Sequence, residues 1–245
     1  MSEQWDQILP QNLIFSDLHK YKIAAAALQE PRWEKEEVGL RRNGYACYGG
    51  GAWKNSSGAL VGGAMVVVQS SIASAVRKHE HRIGRIQLVQ LEGHNGIQIT
   101  FGSLLAPTDC SPEEDKLNFW RQLKDALKCI GHRKRDVLLL GGDLNGEVGK
   151  PEYLEDSPIG KWSVGNRNEN GTRLVQECQL EQWFLPATFI NRLSRKKWTF
   201  AGNFLVKEGS GKRTRREYDH FICSNNLKGQ VEDVINYRDT LHDSA

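Results

Sequence analysis

The 245-residue sequence predicts an α/β sandwich with mixed sheets, on three observations. Strand-like runs outnumber helical ones. Hairpins with turn chemistry stand beside strand–helix units, which argues against a doubly wound parallel sheet. Asp136-Val-Leu-Leu-Leu-Gly-Gly-Asp-Leu-Asn145 reads as a strand buried on both faces that delivers polar residues at its carboxyl end.

In chain order, Ile8 to Lys20 has loosely helical spacing (Ile8, Leu9, Leu13, Ile14, Leu18) interrupted by Pro10. Lys22 to Leu28 is alanine-rich and would suit a helix, but Pro31 disfavours helix at its predecessor. Glu30 is therefore expected at the end of a short buried strand. Gly44–Gly51 and Gly62–Val68 look like hairpin strands around the loop Asn55-Ser-Ser-Gly58. Arg85–Leu91 and Gly96–Gly102 alternate apolar and polar residues across the turn Glu92-Gly-His-Asn-Gly96, a second hairpin. His79 and His81 fall in a charged, loop-like stretch. Ser111-Pro-Glu-Glu114 supplies an N-cap, a proline at the first helical position and a capping-box glutamate. Leu117, Trp120, Leu123, Leu127 and Ile130 then keep helical spacing to Gly131. Leu174, Val175 and Cys178 mark another amphipathic helix, and Trp198-Thr-Phe200 and Tyr218–Cys223 are late strands. Neither a repeat nor a linker divides the chain, so residues 1–245 read as a single domain.

The net charge of +3 is too small to identify a partner, but its distribution is informative. Arg192, Arg195, Lys196, Lys197, Lys207, Lys212, Arg213, Arg215 and Arg216 form a basic run opposed only by Glu208. Such a run suits contact with a polyanion, and a solvated loop has the same composition. The five cysteines are widely spaced and lack a Cys-x-x-Cys pair, which argues against a disulfide framework or zinc site and for a reducing compartment. No signal-type or membrane-length apolar run is present. The expected location is intracellular, nuclear or cytoplasmic, with no membrane partner.

Asp143 and Asn145, one residue apart in extended backbone, are expected to point the same way and act on one ligand. They fall within a longer series: Leu28-Gln-Glu-Pro-Arg-Trp33, Leu105-Ala-Pro-Thr108, Gly142-Asp-Leu-Asn145, Asn166-Arg-Asn-Glu-Asn-Gly171, Trp198-Thr-Phe200 and Tyr218-Asp-His220. In this order they resemble the successive signatures of the endonuclease/exonuclease/phosphatase superfamily. Within it they most resemble the apurinic-like endonuclease domains of non-long-terminal-repeat retrotransposons. The resemblance implies a DNase I-like, four-layer α/β sandwich with two mixed β-sheets. It implies Mg²⁺ (or Mn²⁺) held by Glu30, and Asp143 orienting or deprotonating the attacking water. Asn145 would then bind a phosphate oxygen, and Asp219 would orient a histidine. Asn166 and Asn170 match the substrate-contacting turn, and Lys212, Arg213, Arg215 and Arg216 are the expected DNA contacts. His220, next to Asp219 in a strand, points to the opposite face and is expected to pack.

The sequence also departs from the pattern. No Thr-Trp-Asn-like strand precedes Glu30, and the chain ends at Leu241-His-Asp-Ser-Ala245, where the family's Ser-Asp-His motif is due. His242 and Asp243 stand there in reversed order. Leu105 replaces a tyrosine, and Phe200 a tryptophan. The expected domain therefore lacks the first and last strands, as a degenerate retroelement remnant or a gene model missing flanking sequence would. The leading expectation is a metal-dependent DNA endonuclease. Behind it stand a catalytically inactive nucleic-acid-binding or interaction module of the same fold, and a phosphatase acting on inositol phosphates or sphingomyelin-type head groups.

Overall fold

The structure is a computed structural model and describes residues 8–82, 84–155, 157–193, 197–202 and 214–235. Helix α1 (Ile8–Lys20) carries Pro10 in its first turn, where a missing N–H costs least. The smaller sheet follows: β1 (Ala25–Gln29), β2 (Glu37–Arg42), β3 (Tyr45–Gly50) and β6 (Ala64–Gln69), in the order β1-β6-β3-β2 and antiparallel throughout. The short pair β4 (Trp53–Lys54) and β5 (Leu60–Val61) tops the β3–β6 connection.

The larger sheet contains β7 (Val76–Arg82), β8 (Ile86–Glu92), β9 (Gln98–Leu105), β10 (Val137–Asp143), β11 (Trp183–Phe184) and β14 (Asp219–Ser224). Its order is β11-β14-β10-β9-β8-β7, with β9 and β10 parallel. Between β9 and β10 runs α2 (Glu113–Ile130), and α3 (Glu169–Glu181) precedes β11. A separate ribbon pairs β12 (Phe200–Gly202) with β13 (Thr214–Arg216).

Three apolar cores define four layers. Phe15 and Leu18 of α1 pack on Tyr45, Cys47, Met65 and Val67 of the smaller sheet. The opposite face of that sheet (Ala46, Tyr48, Val66, Val68) meets Val89, Leu91 and Phe101 of the larger one. The far face of the larger sheet (Leu88, Leu104, Leu138, Leu140, Ile222) buries Phe119, Trp120 and Leu123 of α2 and Leu174 and Cys178 of α3. Leu138 and Leu140 have no exposed surface, so truncating either to alanine should cost about 2–5 kcal/mol. Gly142 lets neighbouring strands close up, since a Cβ there would lie 2.0 Å from the Leu104 carbonyl oxygen.

Hairpins, helices and the buried β10 follow the sequence reading, with these corrections. The parallel pair lies in the larger sheet alone. Residues 37–42 and 76–82 are edge strands, so His79 and His81 lie on β7, not in a loop. His81 Nδ1 sits 2.8 Å from the Glu36 carboxylate. Charges on these strands hide the strand period, although such charges are what guard sheet edges. Ser111 does not cap α2: Pro112 occupies that position, and the Ser111 hydroxyl lies 3.0 Å from that of Thr108. Gly131 ends α2 in the left-handed conformation as expected, at φ 85°. Among the described residues no helix is long and apolar enough to cross a membrane.

Candidate active site

The strand register assembles the site. Antiparallel pairing of β10 with β14 sets Asp143 opposite Asp219, and parallel pairing with β9 sets it beside Leu105. The smaller sheet approaches through β1. Gln29 Nε2 donates to the Ser103 hydroxyl (2.9 Å), and that hydroxyl donates to the Leu28 carbonyl (2.9 Å). Glu30 follows directly, its N–H donating to the Gly63 carbonyl at 3.0 Å. Its exposed carboxylate lies 3.9 Å from Arg32. Glu30 and Arg32 flank Pro31 in the left-handed region, at φ 52° and 56°, conformations rare for such residues and typical of functional loops.

The charges of Asp219 and Glu30 both bear on Asp143. Burial pushes the Asp143 carboxyl up to about 6, helped by the charges of Asp219 and Glu30 and opposed by the Asn145 N–H. Asp219 is also raised by loss of solvation, against a hydrogen bond with the Thr199 hydroxyl. Thr199 Oγ1 in turn accepts the N–H groups of Tyr218 (2.9 Å) and Asp219 (3.0 Å), fixing the start of β14.

Asn145 reaches the site differently from the expectation. It is left-handed (φ 49°), so it does not share a face with Asp143 by strand alternation. A turn joins the two, with the Asn145 N–H donating to Asp143 Oδ1 at 2.9 Å. The Asn145 side-chain amide donates to the Ala106 carbonyl (3.1 Å). Asn170 is buried, and its amide donates to the carbonyls of Pro107 (2.9 Å) and Asn145 (3.3 Å). Asn166 is exposed. His220 packs on the opposite face as expected: it is buried, donates from Nε2 to the Gly146 carbonyl at 2.7 Å, and is held neutral by burial.

The basic run is dispersed. Lys212 and Arg213 lie outside the described residues. Arg215 is exposed on β13, whereas Arg216 pairs with the buried Glu147 and Arg192 with Asp233. Lys197 is 4% exposed and donates to the carbonyls of Trp162 (2.7 Å), Ala187 (2.7 Å) and Ile190 (3.0 Å). Glu217 is buried nearby and pushed up to about 7 by desolvation, against the attraction of Lys197 and with the charge of Glu147 adding to the rise.

Residues 144–147 are held by contacts the sequence reading missed, chiefly those of Asn168 and Glu147. The signal for Asn168 was present, since an asparagine before a helical run is a strong N-cap. Nothing in the sequence marked Glu147, whose partner Arg216 is remote along the chain.

Among the described residues no group of three or more His, Cys, Asp or Glu side chains is arranged to hold a metal ion by itself. The donor chemistry nevertheless suits a hard divalent cation. Asp143 lies opposite Asp219 and also feels the charge of Glu30, two of these carboxyls have raised affinity for protons, and Mg²⁺ is commonly held by one or two carboxylates together with water and substrate phosphates.

No family model matches the sequence. Craniofacial development protein 2 from Bos taurus is 25% identical over 170 residues, covering 69% of this chain and 27% of the relative. The protein of the same name from Tragulus javanicus is 25% identical over the same length, covering 28% of that relative. The chain therefore spans about a quarter of the curated relatives it matches. An AP endonuclease from Leishmania major superposes with a TM-score of 0.57 at 12% identity, covering 89% of this chain and 75% of the other. An endonuclease/exonuclease/phosphatase from Beutenbergia cavernae superposes with a TM-score of 0.53 at 12% identity, covering 86% and 57%. With its layers, strand order and site at the carboxyl end of β10, the chain has the DNase I-like fold of the endonuclease/exonuclease/phosphatase proteins and resembles craniofacial development protein 2 in sequence.

Proposed function

We propose that this chain is a metal-dependent phosphodiester hydrolase of endonuclease type acting on DNA. One observation carries the proposal: Asp143, at the end of β10, lies opposite Asp219 and within the field of Glu30, and its carboxyl is raised to about 6. A carboxyl with that affinity is mostly ionised at neutral pH yet accepts a proton far more readily than an ordinary aspartate. Asp143 is thereby suited to orient the attacking water and take its proton. Asp219, fixed through Thr199, keeps negative charge beside it, where it would orient a cationic group. Asn145 presents its amide at the same rim, where turning from the Ala106 carbonyl to a phosphate oxygen would offset developing charge. Glu30, with Asp143 or Asp219, would hold Mg²⁺ or Mn²⁺, which when bound polarises the phosphate and stabilises the leaving oxygen. The exposed Arg215, with Lys212 and Arg213 close to it in sequence, would supply phosphate contacts with little sequence preference.

The test is nicking of supercoiled DNA with and without Mg²⁺, by the protein and by Asp143→Ala. Mg²⁺-dependent nicking lost in the variant supports the reading. DNA binding without nicking favours an inactive nucleic-acid-binding module instead. The engagement of the Asn145 and Asn170 amides with protein carbonyls favours that second reading.

A further inference from the structure

The turn that follows β10 carries Asn145 in a left-handed conformation, and its carbonyl accepts from two side chains, Asn170 and Asn168, of which Asn168 also ties down Glu147. Asn168 Oδ1 accepts the N–H of Glu147 (2.9 Å) and, as the N-cap of α3, that of Gly171 (2.8 Å). Its Nδ2 donates to the Asn145 carbonyl at 3.1 Å, and its backbone N–H donates to the Glu147 carbonyl at 3.1 Å. The helix start is pressed onto the loop, since a Cβ at Gly171 would lie 1.7 Å from the Glu147 carbonyl oxygen. An ordinary cap uses only its acceptor. Here the donor end of the same amide reaches out of the helix to Asn145, two residues past the end of β10.

We propose that Asn168 is a positioning residue that sets the backbone of Asn145, and through it the Asn145 N–H donated to Asp143. The two ends of the amide separate this role from helix capping. Aspartate and serine both cap helices well. Aspartate lacks the donor and sets a carboxylate oxygen against the Asn145 carbonyl. Serine is neutral and too short to reach it.

The proposal rests on the nuclease reading only for its kinetic consequence, so the experiment has two independent arms. Thermal melting and amide hydrogen exchange are measured on the protein, Asn168→Asp and Asn168→Ser, followed by nicking with Mg²⁺. The expected result is near-normal melting with exchange at the Asn145 amide faster by roughly 2- to 10-fold, the scale of one net hydrogen bond. Nicking should fall by about 100-fold in kcat with KM little changed, the scale of a misplaced catalytic group. Unchanged Asn145 exchange in both variants overturns the proposal whatever the nicking shows. A wild-type protein inert on DNA overturns the nuclease reading instead, and the exchange arm still decides the role of Asn168.

Discussion

Two regions rich in polar residues have opposite relations to the sequence. At the carboxyl end of β10, Asp143 lies opposite Asp219 and feels the charge of Glu30, residues scattered from position 30 to position 219. The basic run from Arg192 to Arg216 is contiguous on paper, yet its described members go separate ways. Arg192 pairs with Asp233, Arg216 with Glu147, and Lys197 is buried against three carbonyls. Among Arg192, Lys197, Arg215 and Arg216, Arg215 is exposed and has no ion pair among the described residues. Strand ends bring distant residues together because a sheet aligns remote segments, whereas side chains that are neighbours in sequence turn toward whatever carbonyl or carboxylate lies nearest. A count of charges in sequence therefore overstates the charge offered to a ligand.

The largest effect that would break this contrast is at Asp143. Asp143→Ala should lower Mg²⁺-dependent nicking by on the order of 10²–10⁴, measured under single-turnover conditions. Equal activity in the variant would remove the cleft from the mechanism.

The buried cation comes next. Lys197→Ala leaves three carbonyls without their donor and Glu217 without the nearby positive charge, so it should destabilise the fold by about 2–5 kcal/mol in urea unfolding. DNA affinity of the folded variant should change little. A Lys197→Ala protein as stable as the parent but weaker on DNA would restore Lys197 to the binding surface.

The crowded carboxyls predict a pH dependence. Asp143 is raised from 3.8 to about 6 in the folded chain, so the folded state favours its protonated form. The resulting penalty is absent below about pH 4, grows as the pH rises toward 6, and is complete above that range. Asp143→Asn should therefore stabilise the protein at pH 8 by up to about 3 kcal/mol and by almost nothing at pH 4. A gain that does not vary with pH would mean that charge crowding is not its source. Mg²⁺ should reduce the gain by stabilising the parent alone.

The smallest effect belongs to the exposed arginine. Arg215→Ala should leave melting unchanged and reduce the log–log salt slope of DNA binding by up to about 0.9, one phosphate contact. Arg216→Ala should instead lower stability through the stranded Glu147 carboxylate. Substituting Lys212, Arg213, Arg215 and Arg216 together by alanine should weaken DNA binding and flatten its salt dependence further. Unchanged affinity and slope would mean that these four residues make no phosphate contact.

Local rules determined a good deal. The apolar run before Gly141 specifies β10, the spacing of Trp120, Leu123 and Leu127 specifies α2, Gly131 ends it, and Pro31 bars helix at Glu30. The order of the segments around Glu30, Asp143, Asn145 and Asp219 implied phosphodiester chemistry through its resemblance to the endonuclease/exonuclease/phosphatase signatures. Edge strands β2 and β7 escaped because charged side chains on a half-solvated strand erase the alternation that marks one. Only the tertiary structure decided that Asn145 is left-handed, that Asn168 and Glu147 brace the loop, and that Arg216 and Lys197 turn inward. Those outcomes depend on which carbonyl or carboxylate lies within about 3 Å once the layers close, a distance set by packing between segments far apart in the chain.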